Sequence, residues 1–177
     1  MNEFDRVNDI KKAILTGSMR RKKSFVRDID ILLLPEFNAD KYDSKKSELL
    51  LKKLCNLSFI NKLTSINSKP GSISAIYKTT LGLDMEIIIT CSKAWHLDLF
   101  YTTGSKEHIK RVEEIAAQKG FFDGRSIQLN HYTSEGNANA QKKPGCNKSE
   151  AIAGSLDDSD EIIYKMLGLQ YIPPELR

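Results

Sequence analysis

Two apolar segments of the sequence carry carboxylates at the spacing of a β-strand. In DIDILLL, Asp28 and Asp30 are two residues apart, so on a strand they share one face while Ile29 and Ile31 face the core. WHLDLF repeats the alternation and presents Asp98 in the same way. If these strands are neighbours, about 4.8 Å apart, the three aspartates converge. Such a cluster suits a pair of Mg²⁺ ions, because Mg²⁺ takes oxygen ligands and bridges to substrate phosphates.

The turn that precedes DID has the composition of a phosphate site. In TGSMRRKK, Gly17 lets the backbone approach a ligand closely, and Ser18 offers a hydroxyl and a cap for a short helix. Arg21 can grip a phosphate through two charge-assisted hydrogen bonds. An exposed acidic strand face would explain DID by itself. The combination of DID with this basic turn and with LDL favours phosphate and metal chemistry.

Length and composition restrict the class of protein. The 177 residues have room for one domain or for two small lobes that share a cleft. The 40% hydrophobic and 28% charged residues are ordinary for a globular protein, and the net charge of +4 permits a polyanionic partner without requiring one. No apolar run approaches the roughly 18 residues of a membrane span, so we expect no membrane association. Three widely spaced cysteines indicate a reducing, intracellular compartment, either cytoplasm or nucleus.

The pattern along the chain predicts a sheet-bearing lobe over residues 1–101 and a smaller α/β lobe over residues 102–177. The predicted strands, of which the last three form a meander beside the second, are Ile10–Leu15, Asp28–Leu34, Ile73–Thr79, Leu83–Thr90 and Trp95–Tyr101. The predicted helices are a short one over MRRKK and longer ones over Lys45–Leu57, Ser105–Gly120 and Asp158–Leu167. SINSKPGS is a predicted turn, and residues 134–150 a polar loop.

The order of the motifs resembles the family X DNA polymerases. GSMRR, six further residues, DID, LDLF, YTTGSKEH and the tail DDSDEIIYKMLGLQYIPPELR follow each other as in that family, with its small viral members nearest in size. The resemblance implies an α+β fold: a nucleotidyltransferase palm with a mixed β-sheet, followed by a small C-terminal α/β lobe. It implies a monomer that adds dNMP to a primer 3′-hydroxyl, as directed by a template, in distributive gap-filling repair. Its partners would be primer-template or gapped DNA and dNTPs, and its cofactors two Mg²⁺ ions, for which Mn²⁺ can substitute.

The resemblance also implies roles for individual residues. The metal ligands and catalytic residues would be Asp28, Asp30 and Asp98, the last of which would also activate the primer hydroxyl. The nucleotide-binding residues would be Gly17, Ser18 and Arg21 for the phosphates and Tyr101, Thr102 and Gly104 for the sugar. The contacts to template and DNA would come from Lys106, Arg111, Asn130 and Tyr132.

Several positions depart from the family pattern. Only 16 residues precede Gly17, so a lyase domain is not expected in this chain. Thr102 stands where the family usually has an aromatic residue, and His96 where an arginine commonly supports the third aspartate. Ile109 and Glu113 stand where polar side chains usually contact the incoming base and the template. These differences predict reduced accuracy rather than loss of the chemistry.

Two other functions fit the same residues. The palm of a nucleotidyltransferase can transfer a nucleotide to a protein, an RNA or a small molecule, and primer extension distinguishes that activity from a polymerase. A DNA-binding module with a decayed site is the other alternative. The presence of all three aspartates argues against decay.

Overall fold

The computed structural model describes residues 3–4, 7–38, 43–69, 72–129 and 157–177. Within these ranges the protein is an α+β structure with a five-stranded mixed sheet, as predicted. The predicted polar loop over residues 134–150 lies outside the described residues, as do Asn130 and Tyr132.

The sheet is built around two parallel central strands. Its strands are β1 (Ile10–Leu15), β2 (Asp28–Pro35), β3 (Ile60–Lys69), β4 (Ser72–Thr79) and β5 (Asp84–Ile89), arranged in space as β1-β2-β5-β4-β3. The β2–β5 pair is parallel, and the other neighbouring pairs are antiparallel. Parallel pairing brings the N-terminal ends of β2 and β5 together at the same end of the sheet.

Five α-helices accompany the sheet in the described parts of the chain. They are α1 (Gly17–Arg20), α2 (Ser44–Lys53), α3 (Trp95–Thr103), α4 (Lys106–Gln118) and α5 (Glu161–Leu167). Ser105 caps α4 by accepting a hydrogen bond from the amide of His108, and Gly104 ends α3 at a positive φ of 71°. The chain therefore turns from α3 into α4 within two residues, which brings the end of one helix close to the start of the next.

The two faces of β2 pack against different elements. Ile31 and Leu33 join the core beneath α2, whereas Leu32 and Leu34 pack on the other face against Trp95 and Leu99 of α3. Because side chains alternate along a strand, Asp28 and Asp30 share the face of Leu32 and Leu34. Helix α3 covers the apolar half of this face and leaves the acidic half open.

The structure corrects the prediction that Trp95–Tyr101 is a strand, because this segment forms most of α3. WHLDLF fits an alternating pattern, but its fully buried residues are Trp95, Leu99 and Phe100. Trp95 and Leu99 are four residues apart, a spacing that places them on one side of a helix, and Phe100 packs in a second core cluster. Asp98 therefore stands on a helix and not on a strand beside DID.

Smaller differences concern the ends of elements. Much of the predicted turn SINSKPGS belongs to β3, whose exposed serine and asparagine side chains face solvent at the sheet edge; Pro70 and Gly71 lie outside the described residues. Helix α5 begins at Glu161 rather than at Asp158. Ser18 lies inside α1, so it does not cap that helix, whose N-cap residue is Thr16.

A buried ion pair ties the C-terminal residue to the start of α5. The guanidinium of Arg177 donates two hydrogen bonds, of 2.5 and 2.9 Å, to Asp160, and both side chains are 0% exposed. Replacing Arg177 by methionine should lower the free energy of unfolding by about 3 kcal/mol, because the buried Asp160 then keeps only the longer contacts with Arg20 at 4.0 Å and Tyr171 at 3.4 Å. Urea denaturation measures this change. Lys52→Met, which breaks the exposed pair with Glu48, should cost no more than about 0.5 kcal/mol, and an equal effect of the two changes would contradict the prediction.

Candidate active site

Four carboxylates lie on one face of the sheet at the start of the two parallel strands. In the β2–β5 register, Asp28 is paired with Asp84, and Asp30 with Glu86. Residues paired across neighbouring strands point to the same side of a sheet. Lys78 forms an ion pair with Asp84 at 2.7 Å, so the charge of Asp84 is partly neutralised. Asp28, Asp30 and Glu86 remain as the acidic group on this face.

Asp30 experiences the strongest electrostatic perturbation of this group. Its pKa is raised to about 6, chiefly by burial and then by the negative charges of Asp28 and Glu86, while Arg21 partly opposes the shift. Carboxylates held close together resist ionising together unless a cation joins them. The electrostatics of this strand end therefore suit a bound cation.

The donor set matches the requirements of Mg²⁺. Among the described residues, no group of three or more histidine, cysteine, aspartate and glutamate side chains could hold a metal ion by itself. Mg²⁺ is commonly bound through one or two carboxylates together with waters and substrate phosphates. Asp28 and Asp30 therefore fit a Mg²⁺ site that a phosphate-bearing substrate completes.

The turn before β2 packs directly against Asp30. Gly17 has a positive φ of 55°, and a Cβ atom at this position would lie 1.8 Å from Oδ2 of Asp30. Only a glycine lets the backbone approach the carboxylate this closely. The amide of Thr16 also donates a hydrogen bond of 2.8 Å to the carbonyl oxygen of Asp30.

This turn presents buried polar atoms that lack a partner in the described part of the protein. They are the hydroxyl oxygens of Thr16 and Ser18 and Nε of Arg21. A buried donor without a partner costs about 1–3 kcal/mol, so such atoms are candidates for ligand contacts. The Nη1 atom of Arg21 donates to the carbonyl oxygen of Thr103, which holds the guanidinium beside the end of α3. Ser18 and Arg21 thus have the chemistry of an anion site next to Asp30.

A cleft of about 560 Å³ joins the turn, the strand end and the junction of α3 with α4. It contains most of the sequence-predicted site residues, namely Gly17, Ser18, Arg21, Asp28, Asp30, Tyr101, Thr102, Gly104 and Lys106. The cleft lining does not include Asp98, Glu86 or Arg111. Arg111 is exposed on α4.

Asp98 is not brought together with the two aspartates of β2. Its carboxylate accepts a hydrogen bond of 2.5 Å from the hydroxyl of Thr90, and burial raises its pKa. The expectation that three aspartates converge is therefore not met, because it required a strand where the chain forms α3. The carboxylate that the sheet register places beside Asp30 is Glu86.

Tyr101 links the wall of the cleft to α4. Its hydroxyl donates to Glu113 at 3.0 Å and accepts from the amide of Ile127 at 3.0 Å. Burial raises the pKa of Tyr101 above its ordinary value. Glu113 is therefore engaged in orienting Tyr101, while Ile109, one turn earlier, lines the cleft.

The comparison with protein families concerns the side of the cleft that is formed by the junction of α3 with α4. Residues 98–177 match the family described as DNA polymerase beta thumb. This match supports a family X DNA polymerase-like protein. The matched range includes Tyr101, Thr102 and Gly104 at the junction of α3 with α4, and also α5.

The thumb match indicates a DNA polymerase-related function and implies DNA binding. Among the curated proteins, none matches the chain. No helix in the described ranges has the length and apolarity to span a membrane.

Sequence reasoning missed Glu86 and Phe25. LDMEIII has the same alternation of carboxylate and apolar residues as DIDILLL, so the signal for Glu86 was present in the sequence. Phe25, between the basic residues Lys23 and Arg27, lines the cleft, whereas Glu86 does not. An aromatic residue inside a basic segment is a recognisable pattern of nucleic-acid binding.

Asp30→Asn should raise the stability of the protein at neutral pH in the absence of divalent cations. The pKa of Asp30 is higher in the folded protein, about 6, than its ordinary value of 3.8, so folding favours the protonated form. The free energy of unfolding therefore falls as the pH rises from about 4 through about 6. Removing the charge should restore about 1 kcal/mol above that range, after allowance for solvent screening.

Urea denaturation of both proteins between pH 4 and 7, with a chelator present, measures this difference. If the free energies of unfolding of the wild type and Asp30→Asn changed with pH in the same way, the pKa of Asp30 would not be raised in the folded protein.

Proposed function

We propose that this protein is a template-directed DNA polymerase that adds dNMP to a primer 3′-hydroxyl by nucleotidyl transfer. Its partners are primer-template or gapped DNA and dNTPs, and synthesis is distributive, as in gap-filling repair by a monomeric enzyme. The proposal joins the DNA polymerase-related character of residues 98–177 with the chemistry of residues 17–30.

The observation that carries the proposal is the contact between the turn that bears Ser18 and Arg21 and the carboxylate of Asp30 on β2. The backbone of Gly17 lies against Asp30, and Ser18 and Arg21, each with a buried unpartnered polar atom, line the same cleft as Asp30. A triphosphate bound by Ser18 and Arg21 has its reacting phosphorus beside carboxylates. Nucleotidyl transfer requires this combination of phosphate donors and metal-binding oxygens.

In the proposed mechanism, Asp28 and Asp30 would hold Mg²⁺, for which Mn²⁺ could substitute. The bound metal supplies charge stabilisation to the attacked α-phosphate and to the leaving pyrophosphate. Glu86 takes the place of the third carboxylate, for which sequence reasoning had suggested Asp98, because its strand register brings it next to Asp30.

The remaining cleft residues orient the nucleotide. Ser18 and Arg21 donate hydrogen bonds to the outer phosphates, which holds the leaving group in line. Tyr101, Thr102 and Gly104 form the wall against which the sugar packs. Lys106 at the start of α4 offers a positive charge to the DNA backbone. Ile109 offers no hydrogen-bond donor to the nascent base pair, which supports modest accuracy.

Extension of a duplex with a one-nucleotide gap, with Mg²⁺ and each dNTP supplied separately, tests the proposal. We expect the complementary dNTP to be added fastest, with the primer extended by one nucleotide. DNA binding without incorporation of any dNTP would contradict the proposed activity and identify a binding module. Nucleotide transfer to a protein or an RNA in the absence of a primer would identify a different acceptor.

A further inference from the structure

Phe25 is a large apolar side chain left in solvent at the edge of a polar cleft. It is 83% exposed, and it lines the cleft from the segment that connects α1 to β2. Burial of a phenylalanine side chain is strongly favourable, so a ligand that covers Phe25 would gain binding free energy. The other strongly exposed hydrophobic residues of the described chain, Leu49, Leu81 and Leu176, do not line the cleft.

Two cations flank Phe25 at regular spacing. Lys23, Phe25 and Arg27 all line the cleft, whereas the intervening Ser24 and Val26 do not. Both cationic side chains are exposed. Within the described residues, Lys23 and Arg27 have no ion-pair partner, in contrast to Lys22, which pairs with Glu175 at 2.6 Å. The cleft edge therefore offers an aromatic face between two available positive charges.

This arrangement fits a single strand of nucleic acid better than a mononucleotide. Single-strand binding sites combine cations that follow the phosphate backbone with aromatic rings on which bases stack. The phosphates of a bound dNTP are already assigned to Ser18 and Arg21. Lys23 and Arg27 are additional charges beyond that site, as a polyanion that continues past the cleft requires.

We propose that Phe25 is a base-stacking residue for a single-stranded segment of DNA, whose phosphates are contacted by Lys23 and Arg27. The proposal deepens the proposed function, on which it rests, by assigning an unpaired strand to a defined edge of the cleft. Stacking on phenylalanine does not depend on base identity, so the contact adds affinity without sequence preference.

Equilibrium binding of a short fluorescent oligothymidylate, measured with a chelator and without dNTP, tests the proposal. Phe25→Ala should weaken binding about 5- to 150-fold, since stacking of one base is worth about 1–3 kcal/mol. Phe25→Leu should also lose most of this affinity, because it keeps apolar bulk but has no ring. Leu81→Ala, which removes a similarly exposed side chain (82%) outside the cleft, should bind like the wild type.

An abasic oligonucleotide of the same length separates stacking from charge. The wild type and Phe25→Ala should bind this probe equally, because it offers phosphates but no base. Equal binding of oligothymidylate by the wild type and Phe25→Ala would overturn the proposal. An equal loss of affinity for both probes would also overturn it, as would binding of polyglutamate with the same dependence on Phe25.

A tryptophan at this position gives an independent signal. Trp95 is fully buried, so in Phe25→Trp the new indole is the emitter that ligand can reach. Oligothymidylate should quench it, while the abasic probe should not; quenching by both would count against stacking. These readouts need no catalysis. An inactive protein with Phe25-dependent binding refutes the proposed function alone, and an active polymerase with Phe25-independent binding refutes the stacking proposal alone.

Discussion

Asp30→Asn is expected to remove nearly all nucleotide incorporation while the protein stays folded. The substitution keeps the size of the side chain and removes the charge at the most perturbed carboxylate of the cleft. Loss of one such electrostatic contact commonly lowers kcat by about 10²–10³-fold, and a metal ligand by at least as much. The kcat for one-nucleotide gap filling measures the effect. Because the same substitution should stabilise the apo protein, inactivity cannot be explained by unfolding.

A pair of matched variants tests which carboxylate completes the group. Glu86→Gln should lower kcat by about 10²-fold or more, because Glu86 lies opposite Asp30 in the sheet register. Asp98→Asn should have the smaller effect, since Asp98 is engaged with Thr90, and Glu86, not Asp98, is among the charges that raise the pKa of Asp30. The reverse order of effects would return the third carboxylate to Asp98 and contradict the geometric assignment.

The second large effect is expected for Gly17→Ala. A methyl group at this position would come within 1.8 Å of Oδ2 of Asp30, so either the turn or the carboxylate must move. A displacement of about 1 Å in an active site can cost about 10²-fold in rate. We therefore expect kcat/KM for gap filling to fall at least about 10²-fold.

Gly82→Ala is the matched control for this change. Gly82 also has a positive φ, of 79°, but no atom lies within 4 Å of its added Cβ. Both substitutions carry the backbone cost of a left-handed alanine, about 1–2 kcal/mol. Gly17→Ala should lose more activity than its fall in Tm explains, whereas Gly82→Ala should not. Equal activity in the two variants would show that the close contact with Asp30 has no catalytic importance.

The sequence predicted the parts of the fold that are specified by a continuous apolar pattern. DIDILLL could be identified as a strand because its apolar run is continuous, and in the structure the four consecutive residues Ile31 to Leu34 are all buried. WHLDLF was ambiguous because a short alternating run suits a strand as well as a helix. The decision depends on Trp95 and Leu99 packing against β2, which is a long-range contact.

Site residues that are close together in sequence could be predicted, whereas a residue that joins the site through the pairing register of two strands could not. Gly17, Ser18, Arg21, Asp28 and Asp30 are close in sequence, and the structure brings them to one cleft. Glu86 joins the group only through parallel pairing across more than fifty intervening residues. Strand β3 was not predicted, because most of its side chains are polar and exposed and the segment therefore lacks an apolar pattern.

The central claim is that the carboxylates of β2 support Mg²⁺-dependent transfer of a nucleotide to a DNA primer. Its most direct test is single-turnover extension of a gapped duplex by the wild type and Asp30→Asn, with the complementary dNTP and increasing Mg²⁺. We predict one-nucleotide extension by the wild type that rises with Mg²⁺ to a plateau, and at least about 10²-fold slower extension by Asp30→Asn at every Mg²⁺ concentration. Equal rates for the two proteins, or extension by the wild type that persists in a chelator, would contradict it.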